Sequence, residues 1–585
     1  MKKRICGNYA RPVRELLLTA AVTLTWVTAA AALPHPADSL IHLTSSNLPI
    51  VVIDTRGQSI PDEPKIDAMM GIIDNGPGAR NYVTDPFNGF NGPIGIEVRG
   101  SSTQQFPKKQ YGIETRDSTG GDLSVSLLGM PSESDWVLSA PYNDKSLMRD
   151  ALMHTLARSL GRYASRARFC EVILNNQYAG VYVLLERIAR NKNRVSITKM
   201  SEADTAGDAV TGGYIFKVDK VEGSDIDGWY SGFPPYPSAW QRIYFQFDYP
   251  KAGNLVAAQR GYITRYVRDF ELAMAKTTFA DSLAGYPGLI DVGSFVDNMI
   301  ITELCKNVDG YRLSSFYHKD RDSKGGKLVA GPVWDFNHAL GNSDYYDASL
   351  IPGLHLDYLT TNWGFQSSDN FQAPFWWGKI ASDPGFKLRL EARWSALRQD
   401  LLSLQRIHAL IDSIAAVVDE AQARNFVRWD VLGHYVWPNY FVGNTYAEEV
   451  AYLKQWVADR IAWLDSYFRL TGVGGEGWVG GSAGLSGPML LQNYPNPFNP
   501  STVIRYSTAM SGRVKLTVSD LLGREVALLV DEVKAPGSYV VRFDATGLAA
   551  GVYLCRMSGG GSSPGQAPGD EPRTLTATKK LLLLH

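Results

Sequence analysis

The 585-residue sequence predicts an α+β fold with a small β-sandwich at its C-terminal end. Three observations predict it. Within residues 45–470, apolar-alternating strand patterns come first and amphipathic helical patterns later. Residues 471–487, TGVGGEGWVGGSAGLSG, form a Gly/Ser linker. Residues 488–585 then carry six or seven short strand-like runs about ten residues apart, the spacing of a sandwich.

The elements follow in chain order. Lys2, Lys3, Arg4, Arg11 and Arg14 precede LLLTAAVTLTWVTAAAA, which offers small-residue cleavage sites near Ala30 to Ala32; residues 1–34 read as a secretory signal peptide. GPIGIEVRG, KKQYGIET, FCEVILNN, AGVYVLLERI and GGYIFKVD read as strands, with a hairpin turning at Asn175-Asn176. In DKSLMRDALMHTLARSLG, Met148, Leu152, Leu156 and Leu160 recur every fourth residue, with Asp144 as N-cap and Gly161 as the stop. SFVDNMIITELCKNVDG gives a second helix ending near Asn307 to Gly310. TYAEEVAYLKQWVADRIAWLDSYF gives a third, with Thr445 and Glu448 as a capping box. A literal G-x-G-x-x-G at Gly472, Gly474 and Gly477 is rejected, because a helix precedes it and more glycines follow. SGGGSSPGQAPGDEPR is an insertion before the last strand.

Composition narrows the function classes. With 45% hydrophobic and 20% charged residues, the chain has material for a large core. A net charge of −1 provides no global basic field for nucleic acid or an anionic membrane. No run of 18 apolar residues lies outside the N-terminus, so no transmembrane segment is expected after signal cleavage. Cleavage would leave Cys170, Cys305 and Cys555, widely spaced and without zinc spacing, which read as buried thiols.

Four stretches carry candidate chemistry. NVDG (307–310) and WDFN (334–337) each place an acid at the end of an apolar segment, with a strand, charged turn and strand between them. Asp309 and Asp335 can therefore meet across a β-hairpin and hold a divalent cation, or one can hold metal while the other orients a hydroxyl; equally, each can be a local cap or loop tie. VRGSSTQQFPKKQY (98–111) runs a strand into a glycine turn whose backbone N–H groups suit an anion, followed by Lys108 and Lys109; its plainer reading is a hairpin with a solvated basic end. APYNDKSLMRD (140–150) crowds polar residues at a helix start, which capping by Asn143 or Asp144 and a surface pair of Arg149 with Asp150 would explain.

The order of these parts (glycine turn, lysine strand, helix, connecting strand, acid, hairpin, second acid) parallels a protein kinase. Residues 46–345 resemble the spore-coat-protein-H (CotH) kinase family, secreted proteins with an atypical protein-kinase-like fold. The resemblance rests on VRGSST…FPKKQYGIE, DWVLSAPYNDKSLMRDAL, FCEVILNNQYAGVYVLLERI, GGYIFKVD, NVDGYR and GPVWDFNHALGN. It implies that Asp309 is the catalytic acid, Asp335 a metal ligand, and Lys109, or else Lys108, a phosphate contact. Arg99, Gly100, Ser101 and Ser102 would lie near the phosphates of ATP, and Glu186 on the nucleotide-facing connection. Mg²⁺ or Mn²⁺ would be the ion. A kinase has Asn five residues after the catalytic Asp, where Ser314 stands here; Asn337 or Asn342 would replace it as a ligand.

The C-terminal LQNYPNPFNPSTVIRYS, VSDLLGREVALLV, GVYLCRM and TKKLLLL resemble the sorting domain of the type IX secretion system. That implies an Ig-like sandwich, a secreted or cell-surface location, and the secretion machinery as a partner. Together the resemblances imply an exported phosphotransferase acting on a protein Ser, Thr or Tyr hydroxyl. The alternative is a non-catalytic surface protein, either a pseudokinase or a glycan- or matrix-binding protein using PFWWGKI with Trp363, Trp429 and Trp437.

Overall fold

Seven strands close a barrel: β1 Ile50–Asp54, β2 Ile66–Ile73, β3 Phe90–Arg99, β4 Gln110–Thr115, β5 Asp135–Ser139, β6 Ala167–Leu174 and β7 Gln177–Glu186. The computed structural model describes residues 41–221, 227–468, 489–490, 493, 496–508, 512–534, 537–560 and 574–584. The expected signal peptide and linker lie outside them. The barrel order is β1-β2-β3-β4-β5-β7-β6, and parallel pairing of Ile50–Ile53 with Glu171–Leu174 closes it. Every second residue points inward: Ile94 and Ile96, Tyr111 and Ile113, Trp136 and Leu138, Cys170 and Val172, Tyr182 and Leu184 share one apolar cluster. The barrel is thus filled by its own side chains. Asn175 and Asn176 both take positive φ, 50° and 63°, as the expected two-residue hairpin turn requires.

Helix α1, Arg149–Ser159, lies against the barrel's outer face, where Ala151 packs with Val137, Val183 and Leu185. It starts five residues later than Asp144. That acid accepts from the Ser146 and Arg149 backbone N–H groups and pairs with Arg149 at 2.5 Å. Both residues are buried, so Arg149 is no surface partner of Asp150. Gly161, at φ +91°, follows the helix end.

A second sheet holds β8 Tyr214–Val218, β9 Gly228–Tyr230, β10 Tyr244–Tyr249, β11 Ser315–Lys319 and β12 Leu328–Ala330, in the order β9-β10-β8-β11-β12. Helices α2, Ala257–Ala275, and α3, Val292–Cys305, accompany it. The expected hairpin between the two acids is β11–β12. Trp376 and Trp377 are fully buried beside Phe295, Tyr311 and Phe245, so PFWWGKI is core and offers no surface platform.

Two late helices hold the pieces together. From Leu404–Arg428, Arg424 meets the fully buried Glu171 of β6, and Asn425 Oδ1 accepts from the Val181 N–H of β7. From Tyr446–Tyr467, Arg460 donates to the Glu303 carbonyl and to the Gly353 carbonyl, and pairs with the Glu303 carboxylate at 3.4 Å. Glu303 also accepts from Tyr311 and from the backbone of His355 and Leu356. The pair is dry but fully hydrogen-bonded, and it fixes the end of α3 from which the Asp309 loop departs.

In the C-terminal region, Met489–Leu490, Ser501–Thr508 and Gly537–Asp544 form one sheet. Gly512–Ser519, Glu525–Lys534, Gly551–Gly560 and Thr574–Leu583 form a second. One core, including Ile504, Phe543, Leu516, Val518, Cys555 and Leu581, serves both. The strand after the insertion pairs along its whole length with Gly551–Gly560, so the insertion interrupts a hairpin of this unit.

Removing Arg460 would strand Glu303, and Arg460→Ala is expected to cost about 3–5 kcal/mol in denaturant unfolding. A second expectation concerns Glu271 of α2, whose buried carboxyl is pushed up to about 7 although Ser231 donates to it. The folded state keeps a proton that the unfolded chain releases above the usual glutamate range. Stability therefore falls as pH rises through that window and stays reduced above about 7. Glu271→Gln should raise the melting temperature by several degrees at pH 8 and change little at pH 5.

Candidate functional site

The site is built on one backbone conformation. Asp335 takes φ 64°, in the left-handed region that costs a non-glycine residue about 1–3 kcal/mol. The peptide that follows it, Asp335–Phe336, is pinned at both its carbonyl and its N–H. Asn307 Nδ2 donates to the Asp335 carbonyl at 2.8 Å, and the Phe336 N–H donates to Asp150 Oδ1 at 2.8 Å. The first bond joins the two acid motifs directly. The Trp334 and Phe336 rings lie 5.5 and 5.2 Å from the His154 ring on α1. Apolar anchors thus flank the acid, and burial without a partner holds His154 down at about 3.

Further bonds stitch this segment to the polar run before α1. Arg149 Nε donates to the Ala339 carbonyl at 3.1 Å, and Asn342 Nδ2 donates to the carbonyls of Asn143 and Asn337. Asn342 also accepts from Asn439. Its amide is therefore committed to the scaffold, which removes it as a candidate ligand. The Asn337 side chain has no hydrogen-bond partner among the described residues and faces the cleft.

The cleft has a volume of about 670 Å³ and lies between barrel strands β3–β5, the turn after β3, the end of β8, and the two acid motifs. Asp309, Asp335, Asn337, Arg99, Gly100, Ser101 and Ser102 all line it. Gly100 has φ +92°, and a Cβ there would meet Thr103 Oγ1 at 2.2 Å, so the turn needs glycine. Asp309 Oδ1 accepts from Arg312 Nη2 at 3.1 Å, and its Oδ2 stands 4.0 Å from His338 Nδ1. Arg312 in turn lies over the rings of Tyr346 and Phe365.

Asp335 is pushed well above the usual carboxylate range. Desolvation is the main cause, followed by Asp150, Asp309 and Asp219, while Arg99 opposes them. Arg99 lies 5.6 Å over the Trp334 ring and is itself lowered to about 10, first by burial and then by Arg187. Burial and three neighbouring acids thus outweigh the one cation that opposes them at Asp335.

Three sequence expectations are corrected. Lys108 is fully buried, donates to the Val181 carbonyl at 2.6 Å and to Asn425 at 2.9 Å, and lies 5.0 Å from the Tyr182 ring. It precedes β4 and turns behind the barrel, where burial lowers it to about 7. Lys109 donates to the Gln104 carbonyl and does not line the cleft. Glu186 is fully buried, with Arg166 at 2.8 Å and the Arg166 N–H at 3.0 Å. Strand parity explains it: Glu186 shares a face with inward Leu184, whereas Leu185 and Arg187 share the face that borders the cleft.

The cleft's cations come from elsewhere. Arg187, Lys65, Lys217 and Lys220 line it with Arg99. Lys217 pairs with Asp219 at 2.9 Å, and Lys220 Nζ donates to Ser101 Oγ at 3.3 Å, clasping the turn after β3 to the end of β8. Asp219 also accepts from the Ser314 N–H, which fixes the position where a kinase would place its Asn. The sequence signal for Lys217, Asp219 and Lys220 is the K-V-D-K run closing the apolar strand GGYIFKVD.

CotH kinase protein is the family that matches residues 96–464, and the chain belongs to it. A secretion system C-terminal sorting domain matches residues 492–564, which assigns the C-terminal region to export toward the cell surface and makes the secretion machinery its partner. No curated protein matches the chain. Among the described residues, no helix is long and apolar enough to cross a membrane.

Because burial, and after it the neighbouring acids, destabilise the Asp335 anion, Asp335→Asn should raise the melting temperature of the metal-free protein at neutral pH. The same substitution should abolish any stabilisation by Mn²⁺. Both are read in one thermal-unfolding series.

Proposed function

We propose that the protein is an exported phosphotransferase that moves the γ-phosphate of ATP to a Ser, Thr or Tyr hydroxyl of a protein at the cell surface or along the export path. The observation that carries the reading is the convergence of Asp309, Asp335 and the glycine turn on one cleft, with Asn307 of the first acid motif bonded to Asp335 of the second. Family membership supports the class of activity. A kinase-like core and an Ig-like sorting unit are part of the same proposal.

The donor set fits the implied cofactors. Asp335 and the unpartnered Asn337 amide are hard oxygen donors suited to Mg²⁺ or Mn²⁺. Among the described residues no three His, Cys, Asp or Glu side chains gather closely enough to hold an ion alone. That agrees with an ion of the Mg²⁺ type, which takes one or two protein carboxylates and completes its shell with phosphate oxygens and water. When bound, the ion would neutralise phosphate charge. Arg99, Lys217 and Lys220 would clamp the phosphates, with the backbone N–H groups after Gly100 as further donors. Asp309 would orient the acceptor hydroxyl and take its proton as that oxygen bonds to phosphorus and the bond to the ADP oxygen breaks. Arg312, which donates to Asp309 Oδ1, would hold that carboxylate in place for the hydroxyl.

The test incubates the full chain with labelled ATP, Mg²⁺ or Mn²⁺, and candidate surface proteins. Asp309→Ala and Asp335→Ala should each lower transfer by at least ~100-fold. Lys109→Ala should stay near wild type, while Lys220→Ala should lose activity. Absence of transfer together with absence of a nucleotide-induced thermal shift, across several metals, would sink the reading; equal labelling of wild type and both Asp variants would sink the site.

A further inference from the structure

We propose that Asp150 is the positioning residue for Asp335: its carboxylate holds the Asp335–Phe336 peptide so that the Asp335 side chain is presented to a divalent cation. The inference rests on the cation site proposed above and adds what sets its geometry.

The argument begins with the strain at Asp335. A left-handed aspartate persists only where its surroundings over-determine it. The peptide that follows it is held by Asp150 Oδ1, and Asp150 Oδ2 accepts from Ser139 Oγ at 3.2 Å on barrel strand β5. Both oxygens are thus committed, one to the acid loop and one to the barrel, so Asp150 has a fixed rotamer. Its place in the first turn of α1 puts it on the same helix face as His154, four residues on, which meets both rings flanking Asp335. Helix α1 therefore grips the segment twice, by backbone at Phe336 and by ring contact on either side.

Charge alone does not account for Asp150. The N–H and hydroxyl that Asp150 accepts from favour its ionised form, but they also take up both of its oxygens, leaving them turned to the Phe336 amide and to Ser139. The hydrogen bonds are what the position supplies, and a side-chain amide can supply the one that matters, because its carbonyl accepts from an N–H as a carboxylate does.

The test uses the full chain, Mn²⁺ alone as probe, and the variants Asp150→Asn, Asp150→Ala and Ser139→Ala. Mn²⁺ affinity is measured calorimetrically, and hydrogen exchange at the Phe336 amide is followed without metal. Asp150→Ala should weaken Mn²⁺ binding by at least ~10-fold and speed Phe336 exchange, while Asp150→Asn stays within about 3-fold of wild type with the amide protected. Ser139→Ala should fall between them, and it carries the test with Asp150→Asn if the alanine variant does not fold. Equal weakening in the Asn and Ala variants with Phe336 still protected would make Asp150 a charge and overturn the proposal, as would wild-type exchange in Asp150→Ala. If wild type binds no Mn²⁺ yet exchange follows the stated order, the cation reading falls while the hold on the Asp335 peptide stands.

Discussion

The left-handed backbone of Asp335 is the constraint on which the site depends. It aims one carboxylate into the cleft while its flanking aromatic rings stay packed, and it is paid for by two hydrogen bonds from different parts of the chain. Asn307 ties it to the end of α3, and Asp150 ties it to α1 and, through Ser139, to the barrel. Because three elements meet at one dipeptide, the cleft's two acids keep a fixed relation without touching each other.

Around that point the protein gathers charges of both signs and leaves them unevenly paired. Asp150, Asp219 and Asp309 press on Asp335, and Arg99 answers it. Elsewhere, several buried acids are closed off by arginines: Glu171 with Arg424, Glu186 with Arg166, Glu303 with Arg460. The contrast separates scaffold from site. A satisfied buried pair fixes geometry, whereas an under-neutralised acid facing a polar cleft leaves room for a ligand to supply the missing charge.

The corrections share a cause. Strand runs, the Asn175–Asn176 turn, the α3 helix and the hairpin between the acids were readable because each depends on local periodicity or turn chemistry. Both acids and the glycine turn were readable because their motifs sit beside apolar runs. Lys108, Lys109 and Glu186 were misplaced because a one-residue change of parity, or a residue standing just before a strand, sends a side chain to another face. Asn342 and Arg149 were misread because their partners, Asn143, Asn439 and Ala339, include residues as far as 199 positions away.

By itself, the sequence determined the strand-then-helix order, the appended sandwich-like region, and which two acids to watch, since alternation, helical spacing and motif order are written along the chain. Tertiary structure alone decided that the strands close into a barrel through a parallel β1–β6 contact, and that Lys65, Arg187, Lys217 and Lys220 join Arg99 as the cleft's cations. It alone decided that Asp335 is held from α1 as well as from the end of α3. The physical reason is that burial and neighbouring charge belong to positions in space, and residues such as Ser139, Asp150, Asn307 and Phe336 acquire a common function only when folding brings them within hydrogen-bond distance.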